Sequence, residues 1–229
     1  MSDREDIFEE IYCKLLEAYG PQGWWPVTPP GGGEPRYTGG PGTEPQRFEV
    51  AVGALLTQNT AWRNASLAIC NLNEAGLMAP AGIAFADRSR LARLIRAAGY
   101  FNQKAKRLRA LARFFLEGNE VTREALLRLE GVGPETADSI LLYGFGKAFF
   151  VVDAYTRRIF GRLGLVPKRE PYELIRERFE RALPRNVDIY NEYHALIVEH
   201  AKRFCRKRPH CSGCPLTFYC PSSENIDWK

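Results

Sequence analysis

The stretch LEGVGPETAD, residues 129–138, closes one helical segment and opens another through a Gly-Val-Gly turn. Gly131 and Gly133 permit a tight turn and a close approach to its backbone. Pro134 suits the first turn of a helix, where its missing N–H removes no bond. The flanking segments 122–130 and 134–144 have helical apolar spacing, so the stretch predicts a helix-hairpin-helix over 122–144. Amides of Gly131, Val132 and Gly133, with the following helix N-terminus, suit one phosphate; a simple connector between helices is the other reading of such a turn. Yet Glu135 stands two places beyond the second glycine. An acid on a phosphate-facing turn needs a reason.

Outward from this hairpin, helical periodicity continues through 5–19, 48–58, 62–76, 88–97, 102–117, 154–164, 171–182 and 187–203. The one β-rich run, FFVVD at 149–153, is too short and isolated to build a sheet. The chain reads as all-α. Residues 27–47 hold six Gly and five Pro in 21 positions and read as a loop. It separates the first helix from the central block, so that helix is expected to join the C-terminal helices in a discontinuous domain. The expected segments are 1–26, the loop 27–47, a barrel domain over 48–164, and the C-terminal helices with a cysteine loop over 165–229.

The 229 residues are 45% hydrophobic and 26% charged, which describes an ordinary globular chain. The N-terminal segment is acidic and helical, without the apolar core of an export signal. No run approaches the ~20 apolar residues that span a bilayer. A cytoplasmic, nucleoid-associated monomer without membrane partners is expected. Net charge is only +5, but residues 88–113 carry nine Lys or Arg and no acid. Such a block suits a polyanion, because Lys and Arg displace counterions condensed on phosphate. A solvated helix face explains it equally well.

Four of six cysteines, Cys205, Cys211, Cys214 and Cys220, follow the last long helix with spacers of five, two and five residues. Four thiolates from one loop can hold a tetrahedral Zn²⁺ or a [4Fe–4S] cluster. Spacing alone leaves both open. Cys13 and Cys70 read as core residues on apolar helix faces. Asp153 precedes a helix and on its own reads first as an N-cap; the other reading is a carboxylate that faces a cationic transition state.

Together, LEGVGPETADSILL, VVDAYTRR, LLTQNT (55–60), AGYFNQKAKRL (98–108) and the four-cysteine loop resemble the endonuclease III family. This is the iron–sulfur branch of the helix-hairpin-helix DNA glycosylases. The resemblance runs from about residue 48 to 220 and implies a six-helix barrel beside a discontinuous iron–sulfur domain. It also implies a [4Fe–4S] cofactor, a partner in double-stranded DNA with a damaged or mismatched base, and Asp153 as the catalytic aspartate. Gln58 and Asn59 would enter the gap left by a flipped nucleotide, and Lys104 and Lys106 would meet backbone phosphate. The first cysteine spacer is one residue shorter than is usual in the family. Glu135 occupies the position where bifunctional members carry a lysine, and a carboxylate cannot form a Schiff base. Both points belong to the expectation: hydrolysis of the glycosidic bond with Glu135 and Asp153 in the site, and no strand cleavage.

GWWPV, containing Trp24, Trp25 and Pro26, and the segment from Phe48 resemble the monofunctional 3-methyladenine DNA glycosylases. Aromatic faces hold a flipped base by stacking and gain further from a cationic ring. The alternatives are a glycosylase for thymine or uracil opposite guanine, and a catalytically silent damage-binding protein.

Overall fold

A computed structural model describes residues 2–223, with side chains over 6–222. Met1 and residues 224–229, the end of the segment 165–229, lie outside the described residues. Among the described residues the chain forms eleven α-helices and one isolated antiparallel bridge, Val27–Arg36. No described helix is long and apolar enough to cross a membrane. The all-α reading is borne out; 149–153 forms no strand.

The chain divides into two compact units, one built from residues 1–22 and 148–229 and the other from 23–147. In the first unit, α1 (Ser2–Tyr19) packs against α10 (Tyr172–Ala182) and α11 (Val187–Arg203). Its Phe8 stacks on Phe160 of α9 (Ala154–Arg162) at 5.4 Å and meets Phe179 edge-on at 4.9 Å. Tyr193 donates to the Phe8 carbonyl at 2.7 Å, which satisfies a buried hydroxyl. Phe150 stacks on Phe179 at 4.1 Å. That contact assigns the run before α9, and α9 itself, to this unit rather than to the barrel segment that ends at residue 164. Cys13 is exposed on α1. Two residues from both Ile11 and Leu15, it falls on the face opposite the buried stripe of Phe8, Ile11 and Leu15.

The second unit is wound about α2 (Glu44–Leu56), whose Val50, Ala51, Val52, Leu55 and Leu56 are fully buried. Around it lie α3 (Trp62–Glu74), α6 (Phe101–Leu116) and α8 (Pro134–Ser139). Against α6 pack α4 (Pro80–Phe85) and α5 (Arg88–Leu94). The short α7 (Arg123–Leu127) leads into the hairpin turn. Helix α2 starts four residues earlier than its apolar spacing indicates, because Thr43 caps it and Pro45 fits its first turn. The Gly/Pro-rich segment is tied to this unit: the Thr28 amide donates to buried Glu49 at 2.7 Å. Trp24, Trp25 and Pro26 therefore belong here and not with α1.

Candidate functional site

In the second unit, the hairpin is built from inside. Asp138, fully buried on α8, pairs with Arg123 of α7 at 2.6 Å and locks the two helices together. Gly131 has φ +83°, and a Cβ there would lie 2.1 Å from Arg107 Nε. Two independent constraints thus demand glycine at 131. Gly133 differs: its φ is −91°, it caps α8, and nothing lies within 4 Å of the Cβ position. Here the missing side chain leaves open surface for a ligand. Val132 turns its side chain inward, 6% exposed, and its amide donates to Leu129 within the turn. Of the three turn amides, that of Val132 is thus engaged by the fold. Glu135 is exposed in the first turn of α8, where an acid complements the helix dipole.

Gln58 does not project from the surface as expected. Its amide donates to the Gly131 carbonyl at 2.8 Å and to Thr136 Oγ1 at 2.9 Å, and its carbonyl accepts from Arg107 at 3.2 Å. The hairpin supplies the partners that hold it. Asn59 is exposed with φ +51°, a conformation Asn tolerates. Among the described residues, Tyr100 is the other non-glycine with positive φ, and it is 71% exposed. Thr60 Oγ1 donates to the Ala98 carbonyl and joins the two loops.

Lys104 is a second correction. It is 1% exposed, and its ammonium donates to the carbonyls of Leu56, Gln58 and Ala98 and to Thr60 Oγ1, at 2.7–2.9 Å. It satisfies the carbonyl end of α2 and cannot reach a phosphate. Burial, with Arg107 nearby, pushes its pKa down to about 8. Lys106, two residues on and on the opposite face of the helix, is exposed and pairs with Glu130 at 2.7 Å.

Trp24 and Trp25 sit in an aromatic cluster with Tyr37, Trp62 and Tyr143. Trp25 meets Trp62 edge-on at 5.6 Å and Tyr143 at 4.9 Å, while Trp24 lies 5.9 Å from Tyr143. Gly53 of α2 gives Trp25 room, since a Cβ there would lie 3.4 Å from the indole nitrogen. Pro26 is buried beside them. Phe48 is buried too, but its ring packs edge-on against Phe115 at 5.5 Å, so it serves the core.

In the first unit, Asp153 caps α9. Its Oδ1 accepts from the Thr156 amide at 2.7 Å and from Thr156 Oγ1 at 3.0 Å, and Thr156 Oγ1 accepts in return from the Asp153 amide at 3.4 Å, completing a capping box. The other oxygen, Oδ2, lies 3.7 Å from Nε2 of His194 on α11. Burial alone would raise the Asp153 pKa, but His194 and the Thr156 donors outweigh it and hold the carboxyl below its usual value. His194 escaped the sequence reading because a lone histidine on an apolar helix face carries no signal.

Cys205, Cys211, Cys214 and Cys220 all line one cavity of about 350 Å³, together with Arg162 and His200. Arg162 of α9 donates to Cys205 Sγ at 3.1 Å and to the carbonyls of Arg206 and Lys207. Among the described residues, no three His, Cys, Asp or Glu converge closely enough for one metal ion.

The HhH-GPD superfamily base excision DNA repair protein model matches residues 52–185. A chain of Methanocaldococcus jannaschii, provisionally named a DNA repair glycosylase, is 44% identical over 96% of this chain and 99% of its own. Among solved structures, an endonuclease III–DNA complex superposes with a TM-score of 0.80 at 18% identity, covering 96% of this chain and 97% of that one. It shows the fold alone. The 3-methyladenine DNA glycosylase of H. pylori, solved bound to 1,N6-ethenoadenine, gives 0.68 at 28% identity, covering 87% and 97%. With its hairpin, its barrel helices and matches of this extent, the chain belongs to the HhH-GPD superfamily of base excision DNA repair proteins.

Proposed function

We propose that the chain is a monofunctional DNA glycosylase that hydrolyses the N-glycosidic bond of alkylated purines, such as 3-methyladenine, in double-stranded DNA. Asp153 carries the reading: its carboxylate is anchored at Oδ1 by Thr156, kept ionised, and still 14% exposed. When the bond breaks, its electron pair leaves with the base and positive charge builds at C1′. An anionic carboxylate stabilises that charge and can take the proton of the attacking water. Glu135, at the position of the bifunctional lysine, offers no amine. Water is then the nucleophile, and the product is an abasic site in an intact strand.

The aromatic cluster supports a stacked base, and a cationic alkylpurine gains most from it. Gly131 and Gly133 would meet backbone phosphate through their amides, Lys106 would add a positioning contact, and exposed Asn59 would enter the gap left by the base. A second reading, uracil or thymine opposite guanine, is favoured by Trp25: it is 6% exposed and already covered edge-on by Trp62, which leaves little face for a purine.

A [4Fe–4S] cluster fits the cysteine loop. All four thiols line the one cavity of about 350 Å³. The Arg162 N–H at Cys205 would stabilise a thiolate. Bound by Cys205, Cys211, Cys214 and Cys220, the group would supply a structural cross-link. Excision itself needs only the chain's own residues.

Duplexes carrying one 3-methyladenine, ethenoadenine, U·G or T·G site test the proposal. Alkali should reveal cleavage at the alkylpurine, with no nick in buffer and no borohydride-trapped adduct. Trapping of the wild type would overturn hydrolysis, and release of uracil or thymine alone would establish the second reading.

A further inference from the structure

The helix cap and the glycosylase reading together leave one feature of the Asp153 environment without a purpose. An N-cap needs one side-chain oxygen, and Oδ1 supplies it to both Thr156 donors. The second oxygen contributes nothing to the cap, yet His194 is placed against it. The imidazole is on α11, which packs against α9, and its side chain is only 6% exposed. Its Nε2 is 3.7 Å from Oδ2, longer than the 2.7–3.2 Å of a hydrogen bond.

We propose that His194 is a positioning residue: it fixes the rotation of the Asp153 carboxylate, leaving Oδ2 able to accept a proton from water. The inference rests on the glycosylase reading above. A carboxylate held at Oδ1 alone can still rock about that oxygen, through small coupled changes at Cα–Cβ and Cβ–Cγ, and tilt Oδ2 away. A buried polar group 3.7 Å off removes that freedom without consuming the lone pair, because it attracts Oδ2 without bonding it at full strength. Geometry of this kind matters to catalysis, since a displacement of about 1 Å can slow a reaction by about 100-fold. His194 is not itself placed to touch substrate; it acts through Asp153.

The test compares His194→Ala and His194→Gln with the wild type. Glutamine keeps a side-chain N–H donor of similar reach, so it also serves if alanine fails to fold. Single-turnover excision at saturating enzyme reads positioning, and affinity for uncleaved lesion DNA reads the fold. His194→Ala should slow excision at least tenfold with affinity within twofold, and His194→Gln should recover most of the rate. An unchanged rate in His194→Ala, or a Gln variant that binds DNA normally but is as slow as Ala, would overturn the proposal. If the wild type releases no base from any duplex, the glycosylase reading fails and a ¹³C carboxyl titration of Asp153 decides instead. An upward shift in a His194 variant supports the pairing, and an unmoved titration refutes it.

Discussion

Replacing Gly131 by alanine separates what the fold needs from what a phosphate needs. At φ +83° an L-residue is strained, and the left-handed region disfavours a Cβ by roughly 1–2 kcal/mol. The new Cβ would also fall 2.1 Å from Arg107 Nε and 2.3 Å from its Cδ. The arginine must move and give up its bond to Gln58 Oε1, a charged hydrogen bond contributing at most about 1.5–3 kcal/mol. Gln58 keeps its two other partners, so the combined loss is about 2–4 kcal/mol. For a chain of this size that lowers Tm by roughly 5–15 °C. Gly133→Ala is the control: φ −91° and open space predict a change within about 0.5 kcal/mol. If its amide faces phosphate, however, the added methyl should weaken binding to duplex DNA. Thermal unfolding and fluorescence anisotropy with a short duplex report the two effects separately. Equal Tm loss in both variants would refute the distinction drawn between the two glycines, and unimpaired DNA binding by Gly133→Ala would remove the phosphate from that turn.

Lys104→Met should destabilise the second unit by roughly 3–5 kcal/mol, because it removes the four hydrogen bonds of a buried ammonium and leaves the Leu56 carbonyl at the end of α2 without that donor; urea unfolding measures it, and a surface lysine would show almost no change. Asp153→Asn should abolish excision while lesion-DNA affinity persists, which a gel-shift beside a cleavage assay will show. Because folding lowers the Asp153 pKa, its stabilising contribution is complete above the ordinary carboxylate value of 3.8 and is lost as pH falls through the lower folded value. The stability gap between wild type and Asp153→Asn should therefore be flat near neutrality and close only in acid; a gap that closes at neutral pH would contradict the lowered value. Cys211→Ser should lower bound iron and sulfide and destabilise the first unit, whereas an anaerobic wild-type preparation holding one zinc and no iron would exclude the cluster.

The hairpin was legible in sequence because glycine, proline and periodicity act locally. Asp153 as a cap was legible for the same reason. Lys104 was not. Charge counting treats every lysine in a basic block alike, and only the fold shows that one points at the end of α2. Gln58 misled similarly: a polar residue after an apolar helix resembles a probe into solvent until the hairpin provides its partners. The unit boundaries depended on ring contacts, Trp25 on Trp62 and Phe150 on Phe179, across 37 and 29 residues. Periodicity cannot register such distances. His194 required knowing that α11 lies beside the cap of α9.

The discontinuous unit also sets a schedule for synthesis. Helix α1 ends at Tyr19, but α11, on which it packs, ends at Arg203. At about 5–20 residues per second, a ribosome needs roughly 10–40 s to make the intervening chain. Throughout that interval Phe8, Ile11 and Leu15, all buried in the finished molecule, have no finished surface to cover them. The second unit, continuous over 23–147, can be completed meanwhile. A nascent chain arrested before α10 emerges should thus carry a protease-resistant second unit and a first helix that trigger factor-like holdases can still bind.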